Sequence, residues 1–420
     1  MSGKEEKQTT SENRGRRGLP GRIVPAQNGY KAALLIMAVV AIVFLVMVII
    51  LNMLPADLTL TLVLLMLGML LAAALLFAGR RKWQRICGIV VAALFMVIFI
   101  GASSYMGKTH AMLENISDSG ISATGPKARS VDVTEEPFNI YITGIDQWES
   151  EIGYDLERSD VNMICTVNPR TKKILLTSIP RDTYVKLHTA QQMDKLTHTG
   201  VYGVDETLDT VHDWMGVDLN YYVKMNFTGA KDIINAMDGV NMYSPIAFKS
   251  SLEDYEYVKG WNAMGGEKCL YYAREREAFG GKDSIRVENQ QRVLKAVIKK
   301  MTSSTTLLTK YGDIVEAAGR NLATNMPSED MKKLVKMQIS DLSDWDIETQ
   351  KIEGKYDEDY VASLSQENKY TVYRPDRESV RSCKENIDKV MNEGAGDTAG
   401  IRKSKSFFVN AAKRVLEEKE

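Results

Sequence analysis

Three long apolar runs near the N-terminus constrain this chain more than any other feature. They cover residues 32–51, 58–78 and 86–106, and none of them contains a charged side chain. Each is about 20 residues long, the length of helix that crosses a hydrocarbon core of about 30 Å. A cleaved signal peptide has a shorter apolar core of about 7–15 residues, and buried helices of soluble proteins rarely come as three uncharged runs in tandem. The runs therefore predict three transmembrane helices.

The basic residues around these runs predict their orientation. The N-terminal segment, residues 1–31, contains four arginines before the first run, and the loop between the second and third runs contains Arg80, Arg81, Lys82 and Arg85. The first loop, residues 52–57, has no lysine or arginine. Because basic residues are enriched in cytoplasmic loops, we expect the N-terminal tail and the second loop inside the cell. The first loop and the chain after residue 106 are then extracytoplasmic.

The remainder of the chain has the composition of a soluble domain. Charged residues make up 25% of the sequence and the net charge is −1, so no basic bias indicates nucleic acid as a partner. A transcription factor is disfavoured further, because we find no basic recognition helix and the domain is expected outside. We predict a polar linker over residues 107–136, a folded domain over 137–391 and a polar, largely mobile tail over 392–420.

The folded domain alternates strand and helix patterns. Residues 138–143 and 161–167 show period-two alternation, and a turn signal at 168–171 (NPRT) joins the latter to an apolar run at 174–179, which predicts a β-hairpin. Further strands are expected at 221–225 and 370–373. Helices are expected at residues 204–215, 227–237, 266–273, 284–302 and 378–391, with two more after residue 307. This mixture predicts an α/β sandwich with helices on both faces of a sheet.

Charged side chains stand at the ends of the first three strands. Asp146 follows the first strand, Arg158 and Asp160 precede the second, and Arg181 and Asp182 follow the third. An antiparallel hairpin would bring these residues to one rim of the sheet, where ligands often bind. Carboxylates hold Mg²⁺ and arginines clamp phosphate oxygens. The alternative is an ordinary salt-bridged edge of the fold.

A second group of polar residues occupies the inward face of a predicted helix. Arg286, Gln290, Leu294 and Ile298 recur every four residues, and the later members are apolar, so this row faces the core. A buried arginine requires an anionic partner. That partner is either an internal carboxylate or a bound pyrophosphate, which the arginines of residues 271–276 (YYARER) would also meet.

The four cysteines give no metal-binding spacing and no disulfide framework. Cys87 lies in the third apolar run, whereas Cys165, Cys269 and Cys383 lie in the domain. One disulfide bond among these three remains open at this stage.

Six sequence elements in order resemble the LytR-CpsA-Psr family of cell-wall glycopolymer phosphotransferases. They are the strand at 139–146 with RSD at 158–160, SIPRDT at 178–183, DKLTH at 194–198, YVKMNF at 222–227, YARER at 272–276 and DSIRVENQQ at 283–291. Each is weak alone, but together they cover residues 138–300. The three N-terminal apolar runs resemble the CpsA-like branch of the family.

The resemblance implies an α-β-α sandwich on a mixed sheet and a specific reaction. A glycan polymer on polyprenyl pyrophosphate is transferred to a hydroxyl of peptidoglycan, and polyprenyl phosphate is released. Membrane lipid is a further expected partner. Asp146 and Asp160 would hold Mg²⁺ or Mn²⁺, and Arg181, Asp182 and Arg286 would be catalytic. The residues implied to bind the pyrophosphate are Arg158, Arg181, Arg274, Arg276, Arg286 and Gln290. No protein nucleophile is needed, because phosphoryl transfer rests on positioning and charge neutralisation.

The sequence departs from the family pattern at several positions. Asn289 stands where arginine is common, which removes one charge from the expected clamp, and the loop between residues 146 and 160 is slightly long. Two other functions use the same residues. A polyprenyl-pyrophosphate hydrolase would place water where the glycan hydroxyl attacks, and a non-enzymatic regulator would bind the lipid-linked glycan without turnover.

Overall fold

The computed structural model describes residues 27–52, 54–117, 131–145, 158–280, 283–319, 321–341 and 343–394. The predicted mobile tail after residue 394 and the first 26 residues lie outside this description. Contacts between Cα atoms divide the chain into two compact units. One comprises residues 1–45 and 62–101, and the other comprises residues 46–61 and 102–420.

Three long helices contain the apolar runs. They are α1 (Gln27–Leu51), α2 (Ala56–Ala78) and α3 (Lys82–Ser117), and each is long and apolar enough to cross a membrane. Within the first unit, the rings of Phe44 and Phe99 meet edge to face with centroids 5.0 Å apart, while Leu71 and Val97 are exposed, as expected for side chains that face lipid. Helix α3 extends past the predicted span, so the first part of the linker is helical.

The second unit contains the α/β domain. In its N-terminal half the elements are β1 (Phe138–Ile145), β2 (Ser159–Asn168), β3 (Lys173–Ser178), β4 (Tyr184–Lys186), β5 (Met193–Lys195), α4 (Leu196–Thr199), α5 (Val204–Met215), β6 (Tyr221–Asn226) and α6 (Phe227–Ala236). They continue with β7 (Val240–Ser244), β8 (Phe248–Lys249), β9 (Glu256–Tyr257), β10 (Gly260–Met264), α7 (Gly266–Arg274) and α8 (Asp283–Met301). The last elements are α9 (Ser304–Ala318), β11 (Leu322–Thr324), α10 (Ser328–Asp341), β12 (Asp346–Lys351), β13 (Gly354–Asp359), β14 (Tyr370–Pro375) and α11 (Arg377–Asn392).

The central sheet has six strands in the order β11-β6-β1-β2-β3-β12. The predicted hairpin is confirmed, because β2 pairs antiparallel with β3 and β1 pairs antiparallel with β2. Strand β6 runs parallel to β1, and β12 runs parallel to β3. The sheet is therefore mixed, as expected, with β12 as an edge strand that the sequence analysis missed.

Helices cover both faces of this sheet. On one face, which we call the α5–α11 face, the apolar residues of both helices pack against the alternate strand residues Tyr141, Ile164, Leu175 and Tyr222. Leu208 of α5 and Ile387 of α11 are almost fully buried there. Period-two alternation sends the intervening strand residues to the opposite face.

We call that opposite side the α8–α10 face. Its buried residues include Phe138, Cys165 and Leu176 from the strands. Leu294 and Ile298 of α8 pack against this cluster but are only partly buried. The inward row predicted for α8 is thus confirmed, and its packing is less complete than that of the α5–α11 face.

Small hairpins surround the central sheet. Strands β7 and β10 pair antiparallel, as do β13 and β14, β4 and β5, and β8 and β9. Helix α7 begins at Gly266, where any Cβ atom would overlap the backbone of Lys231 in α6, so only glycine permits this close approach. All four cysteines are free, and Cys165, Cys269 and Cys383 are each buried.

Candidate functional site

The ends of the first three strands meet at one rim of the sheet. Ile145 is opposite Ser159 in the ladder between β1 and β2, and Met163 is opposite Ser178 in the ladder between β2 and β3. Asp160 and Arg181 therefore lie close together, as the hairpin predicts. Asp146 and the loop that follows it to residue 157 lie outside the described residues.

A cavity of about 240 Å³ opens at this rim. Its lining combines one carboxylate, four guanidinium groups, an amide and two apolar side chains: Asp160, Arg181, Arg274, Arg276, Arg286, Gln290, Phe227 and Leu252. Six of the nine predicted site residues are thus brought together. The excess of guanidinium groups makes this arginine cavity suited to an anion with several oxygens.

Arg181 links the arginine cavity to a neighbouring pair of charges. Its Nη1 atom lies 2.5 Å from Oδ1 of Asp160, and its Nε atom lies 3.6 Å from Oδ2 of Asp182. Lys195 completes the network, because its Nζ atom lies 3.2 Å from Oδ1 of Asp182. The carboxylates of Asp160 and Asp182 therefore fix the guanidinium of Arg181, and Lys195 holds Asp182 in place. The sequence analysis quoted Lys195 in a motif but gave it no role.

Arg274 is the last residue of α7 and Arg276 follows it, and both line the cavity. Between them, Glu275 is fully buried and points the other way. Its carboxylate accepts hydrogen bonds from the hydroxyl groups of Ser250 and Ser251, at 2.8 Å each, and from the backbone N–H groups of Ser251 and Ala278. Glu275 thereby anchors the backbone that carries both arginines.

The electrostatics of Glu275 agree with this anchoring role. Burial raises the pKa of its carboxyl, but the backbone N–H groups of Ala278 and Ser251 and the two serine hydroxyls outweigh that effect and hold the pKa below its ordinary value. The group is therefore a buried anion that is stabilised by hydrogen bonds rather than by a cation. Sequence reasoning missed this role because β9, β10 and α7 separate Ser250 and Ser251 from Glu275 along the chain.

Arg286 and Gln290 approach from α8 and begin its inward row. The next two members, Leu294 and Ile298, continue the row along the α8–α10 face. A polar head and an apolar path thus lie on one helix surface. Arg274 also contacts an apolar group, since its guanidinium lies 5.1 Å from the ring centroid of Phe227.

Three predicted residues behave differently. Arg158 is exposed just before β2 and is not part of the lining of the arginine cavity. Asp182 lines an adjacent cavity of about 620 Å³, which it shares with Arg181, Arg276, Lys351 and Tyr373. The position of Asp146 is not described.

Asn289, the departure from the family pattern, is also absent from the lining of the arginine cavity. It is fully buried, accepts a hydrogen bond from Nη1 of Arg292 at 2.9 Å, and donates to the backbone carbonyl of Glu275 at 3.4 Å. Its amide therefore ties α8 to the same anchored segment that carries Arg274 and Arg276.

The DKLTH motif forms a buried support beside the site. Asp194 is fully buried and accepts hydrogen bonds from the backbone N–H groups of Lys195 and Ser363. Its other partner is Nδ1 of His198 at 2.7 Å. These bonds outweigh the effect of burial and hold the pKa of Asp194 below its ordinary value. The motif thus fixes the backbone from which Lys195 reaches Asp182.

The described residues at the rim supply a single carboxylate for a divalent cation, that of Asp160, which is paired with Arg181. No cluster of three or more His, Cys, Asp or Glu side chains that could hold a metal occurs among the residues that the structure describes. Mg²⁺, however, is commonly bound by one or two carboxylates together with substrate phosphates and water. Asp160, which borders the arginine cavity with its side chain 14% exposed, offers one such carboxylate.

A mixed sheet lies between helices, and clustered arginines stand at the head of a half-buried apolar row, so the chain contains an α/β domain with a cavity suited to an anion. Residues 103–389 match the family model described as the LytR_cpsA_psr family. The chain belongs to this family, in agreement with the resemblance found in the sequence motifs.

Two named relatives have similar sequences over most of their own length. The chain is 30% identical over 263 residues to the polyisoprenyl-teichoic acid–peptidoglycan teichoic acid transferase TagU of Enterococcus faecalis, covering 61% of this chain and 82% of the relative. It is 28% identical over 257 residues to TagU of Bacillus subtilis, covering 60% of this chain and 82% of the relative.

Solved structures agree with the fold. The crystal structure of B. subtilis TagV superposes with a TM-score of 0.50 at 28% identity, covering 61% of this chain and 98% of that one. A structure of TagT bound to LI-WTA gives a TM-score of 0.50 at 25% identity, covering 63% of this chain and 95% of that one.

Proposed function

We propose that this protein is a phosphotransferase that moves a glycopolymer from polyprenyl pyrophosphate to a hydroxyl group of peptidoglycan. The observation that carries the proposal is the arginine cavity at the head of the apolar row on α8. A pyrophosphate needs several cationic donors, and a prenyl chain needs an adjoining apolar path. The names of the TagU relatives support the same donor and acceptor classes.

The positions of the side chains support a division of labour in the proposed reaction. Arg274, Arg276 and Arg286 neutralise the pyrophosphate, and Gln290 donates to one of its oxygens. The oxygen of the acceptor hydroxyl attacks the phosphorus that carries the glycan and gives up its proton to water, while the bond to polyprenyl phosphate breaks and polyprenyl phosphate leaves. Arg181, fixed by Asp160 and Asp182, stabilises the charge that develops on the phosphoryl oxygens.

A divalent cation is part of the proposal. Asp160, together with Asp146, would hold Mg²⁺ or Mn²⁺, which would add positive charge at the phosphate oxygens. Asp182 then acts as a positioning residue, because its carboxylate lies between Lys195 and Arg181. Arg158 is exposed just outside the cavity, so its proposed role is to meet the pyrophosphate or its first sugar at the entrance.

The proposed location is the cell membrane with the α/β domain outside. The basic residues of the loop between α2 and α3 favour a cytoplasmic position for that loop. The loop after α1 belongs to the same compact unit as the α/β domain, and Lys336 of α10 donates to Oδ1 of Asn52 at 2.6 Å. Both observations support a common side of the membrane for the first loop and the domain.

The test uses the full-length protein in lipid nanodiscs. A polyprenyl-pyrophosphate-linked glycan, peptidoglycan fragments and Mg²⁺ are added, and the products are followed by mass spectrometry. We expect a covalent glycan-phosphate-peptidoglycan adduct and one polyprenyl phosphate per adduct. D160N and chelation by EDTA should each reduce both products in parallel, because each weakens the charge neutralisation at the phosphates.

The outcomes separate the competing functions. Polyprenyl phosphate that appears without an adduct, at the same rate with or without peptidoglycan fragments, would identify a hydrolase. Bound lipid-linked glycan with no turnover, retained in D160N, would identify a binding or regulatory protein. Either result overturns the proposed transfer.

A further inference from the structure

A second groove lies on the outer side of α8, away from the arginine cavity. It has a volume of about 560 Å³ and runs between α8, the edge strand β12 and the hairpin of β7 and β10. The residues used below are Arg292, Lys295 and Lys299 from α8, Lys351 from β12, and Tyr243 and Trp261 from the hairpin. We call it the basic groove, and the proposed transfer reaction assigns no role to it.

The charges of the basic groove are strongly unbalanced. Glu288 is the one acidic side chain in its lining, and it is already paired with Lys351 at 2.9 Å and with Arg292 at 3.0 Å. Lys295 and Lys299 are exposed, and neither forms an ion pair with any residue that the structure describes. Two lysines therefore present uncompensated charge to whatever enters the groove.

The spacing of these cations is regular. Arg292, Lys295 and Lys299 are three and four residues apart on one side of α8, so their Cα atoms are separated along the helix axis by about 4.5 and 6 Å. A row of this kind suits a chain with a negative charge at every repeat. It suits a single compact anion less well.

The opposite wall of the groove is aromatic. Tyr243 and Trp261 are partners across the β7–β10 ladder, and their rings meet edge to face with centroids 5.7 Å apart. Trp261 is 63% exposed and Tyr243 is 48% exposed. Large exposed aromatic groups are unfavourable in water and often mark a binding surface. Their apolar ring faces are suited to the C–H faces of sugars or polyols.

The basic groove is connected to the arginine cavity. Lys351 lines both the groove and the cavity that contains Asp182. Arg181 and Arg276 line both that intermediate cavity and the arginine cavity. Adjacent cavities thus share a cationic side chain at each junction, although the intermediate cavity also contains the carboxylates of Asp182 and Glu353.

We propose that the basic groove binds the phosphodiester-linked glycan chain of the donor, several repeats beyond the pyrophosphate. This inference rests on the proposed function for the identity of the donor. The regular row of cations favours a polymer with one phosphate per repeat over a peptidoglycan strand, whose sugars are neutral along the backbone. The groove would then favour donors with long, charged polymers, and the phosphoryl transfer would take place in the arginine cavity.

Binding is tested without turnover and without a lipid anchor. The probe is lipid-free poly(glycerol phosphate), and the protein is full-length in nanodiscs of neutral phosphatidylcholine. We expect K295Q/K299Q to raise the Kd by about tenfold and W261A to raise it severalfold. Added salt should weaken binding to wild type more than to the double variant, because exposed charges are screened. K300Q/K389Q is the matched control, since neither lysine lines the groove.

A kinetic test links the groove to transfer. K295Q/K299Q should raise the KM for a polymeric donor and leave both kcat and the KM for a donor with one disaccharide unchanged. R286A should strongly lower the rate of transfer but retain binding of lipid-free poly(glycerol phosphate). That contrast separates the two proposals. If wild type binds the chain through the groove but does not transfer it, only the proposed function is overturned.

Three results would overturn the groove proposal. Wild type would not bind poly(glycerol phosphate), K295Q/K299Q would bind it as tightly as K300Q/K389Q, or a peptidoglycan fragment would bind through Lys295 and Lys299 in its place. The last result would assign the groove to the acceptor.

Discussion

The two faces of the central sheet are built from the same strands but are packed differently. On the α5–α11 face, Leu208 and Ile387 are almost fully buried against the sheet. On the α8–α10 face, Leu294 and Ile298 remain partly buried, and their row leads to Arg286 and the arginine cavity. The comparison indicates that the α5–α11 face is closely packed, whereas α8 leaves part of its apolar surface uncovered on the α8–α10 face, where the proposed function would place the prenyl chain.

The largest expected effect concerns the head of the apolar row. R286A should lower the rate of adduct formation by roughly 10³-fold, because it removes a charged donor from the developing phosphoryl charge. The melting temperature should change little. R377A is the matched control, since Arg377 is exposed at the start of α11 on the opposite side. Equal activities of R286A and R377A would end the assignment of the α8–α10 face to the substrate.

A matched pair of leucines compares the two faces directly. L208A should destabilise the protein by about 3 kcal/mol, because it leaves a cavity in closely packed surroundings. L294A should cost only about 1 kcal/mol but should weaken binding of the prenyl chain. Urea unfolding of both full-length variants, followed by tryptophan fluorescence with Trp214 beside the α5–α11 face among the reporters, measures both costs. Equal costs at both positions would contradict the proposed difference in packing.

The third prediction concerns how the stability of the protein depends on pH through Glu275. The pKa of Glu275 in the folded protein is held below its ordinary value of 4.5. Its stabilisation is therefore fully present above pH 4.5 and is lost as the pH falls through the folded pKa. E275Q should lower the free energy of unfolding by about 2 kcal/mol at neutral pH. It should also reduce the loss of stability of the wild type at acidic pH, measured as the acid limb of stability against pH. An unchanged limb in E275Q would show that another carboxylate causes it.

The fold and the site differ in how far the sequence predicts them. The apolar runs, the first three strands and the inward row of α8 follow from periodicity, because each buries a continuous apolar face. Strands β12 and β13 were missed since their sequences, DIETQK and GKYDED, are mostly polar, and Ile347 is the one buried residue of β12. Such strands occur at edges and in exposed hairpins, where no apolar alternation is required.

The site was predictable to the extent that motifs lie at strand and helix ends. Asp160, Arg181 and Arg286 meet because short elements bring them together. The anchoring by Glu275 could not be predicted, since its partners Ser250 and Ser251 belong to a separate segment. The basic groove was also missed, because its lysines resemble an ordinary solvated helix surface until β12 and the β7–β10 hairpin close it.

The smallest expected effect uses one native thiol on each face. Burial raises the pKa of Cys165, on the α8–α10 face, to about 12, and burial also raises the pKa of Cys383, on the α5–α11 face. At pH 8 both thiols are therefore protonated, and alkylation requires a local opening of the fold. Variants that retain only Cys165 or only Cys383 report on each face separately.

A polyprenyl-pyrophosphate-linked glycan should slow the alkylation of Cys165 severalfold and leave that of Cys383 unchanged. The physical reason is that a chain along Leu294 and Ile298 would fill the α8–α10 face and suppress its opening. Mass spectrometry of the alkylated protein over time provides both rates. Equal protection of the two thiols would mean that ligand stabilises the whole domain, and protection of Cys383 alone would move the lipid to the α5–α11 face.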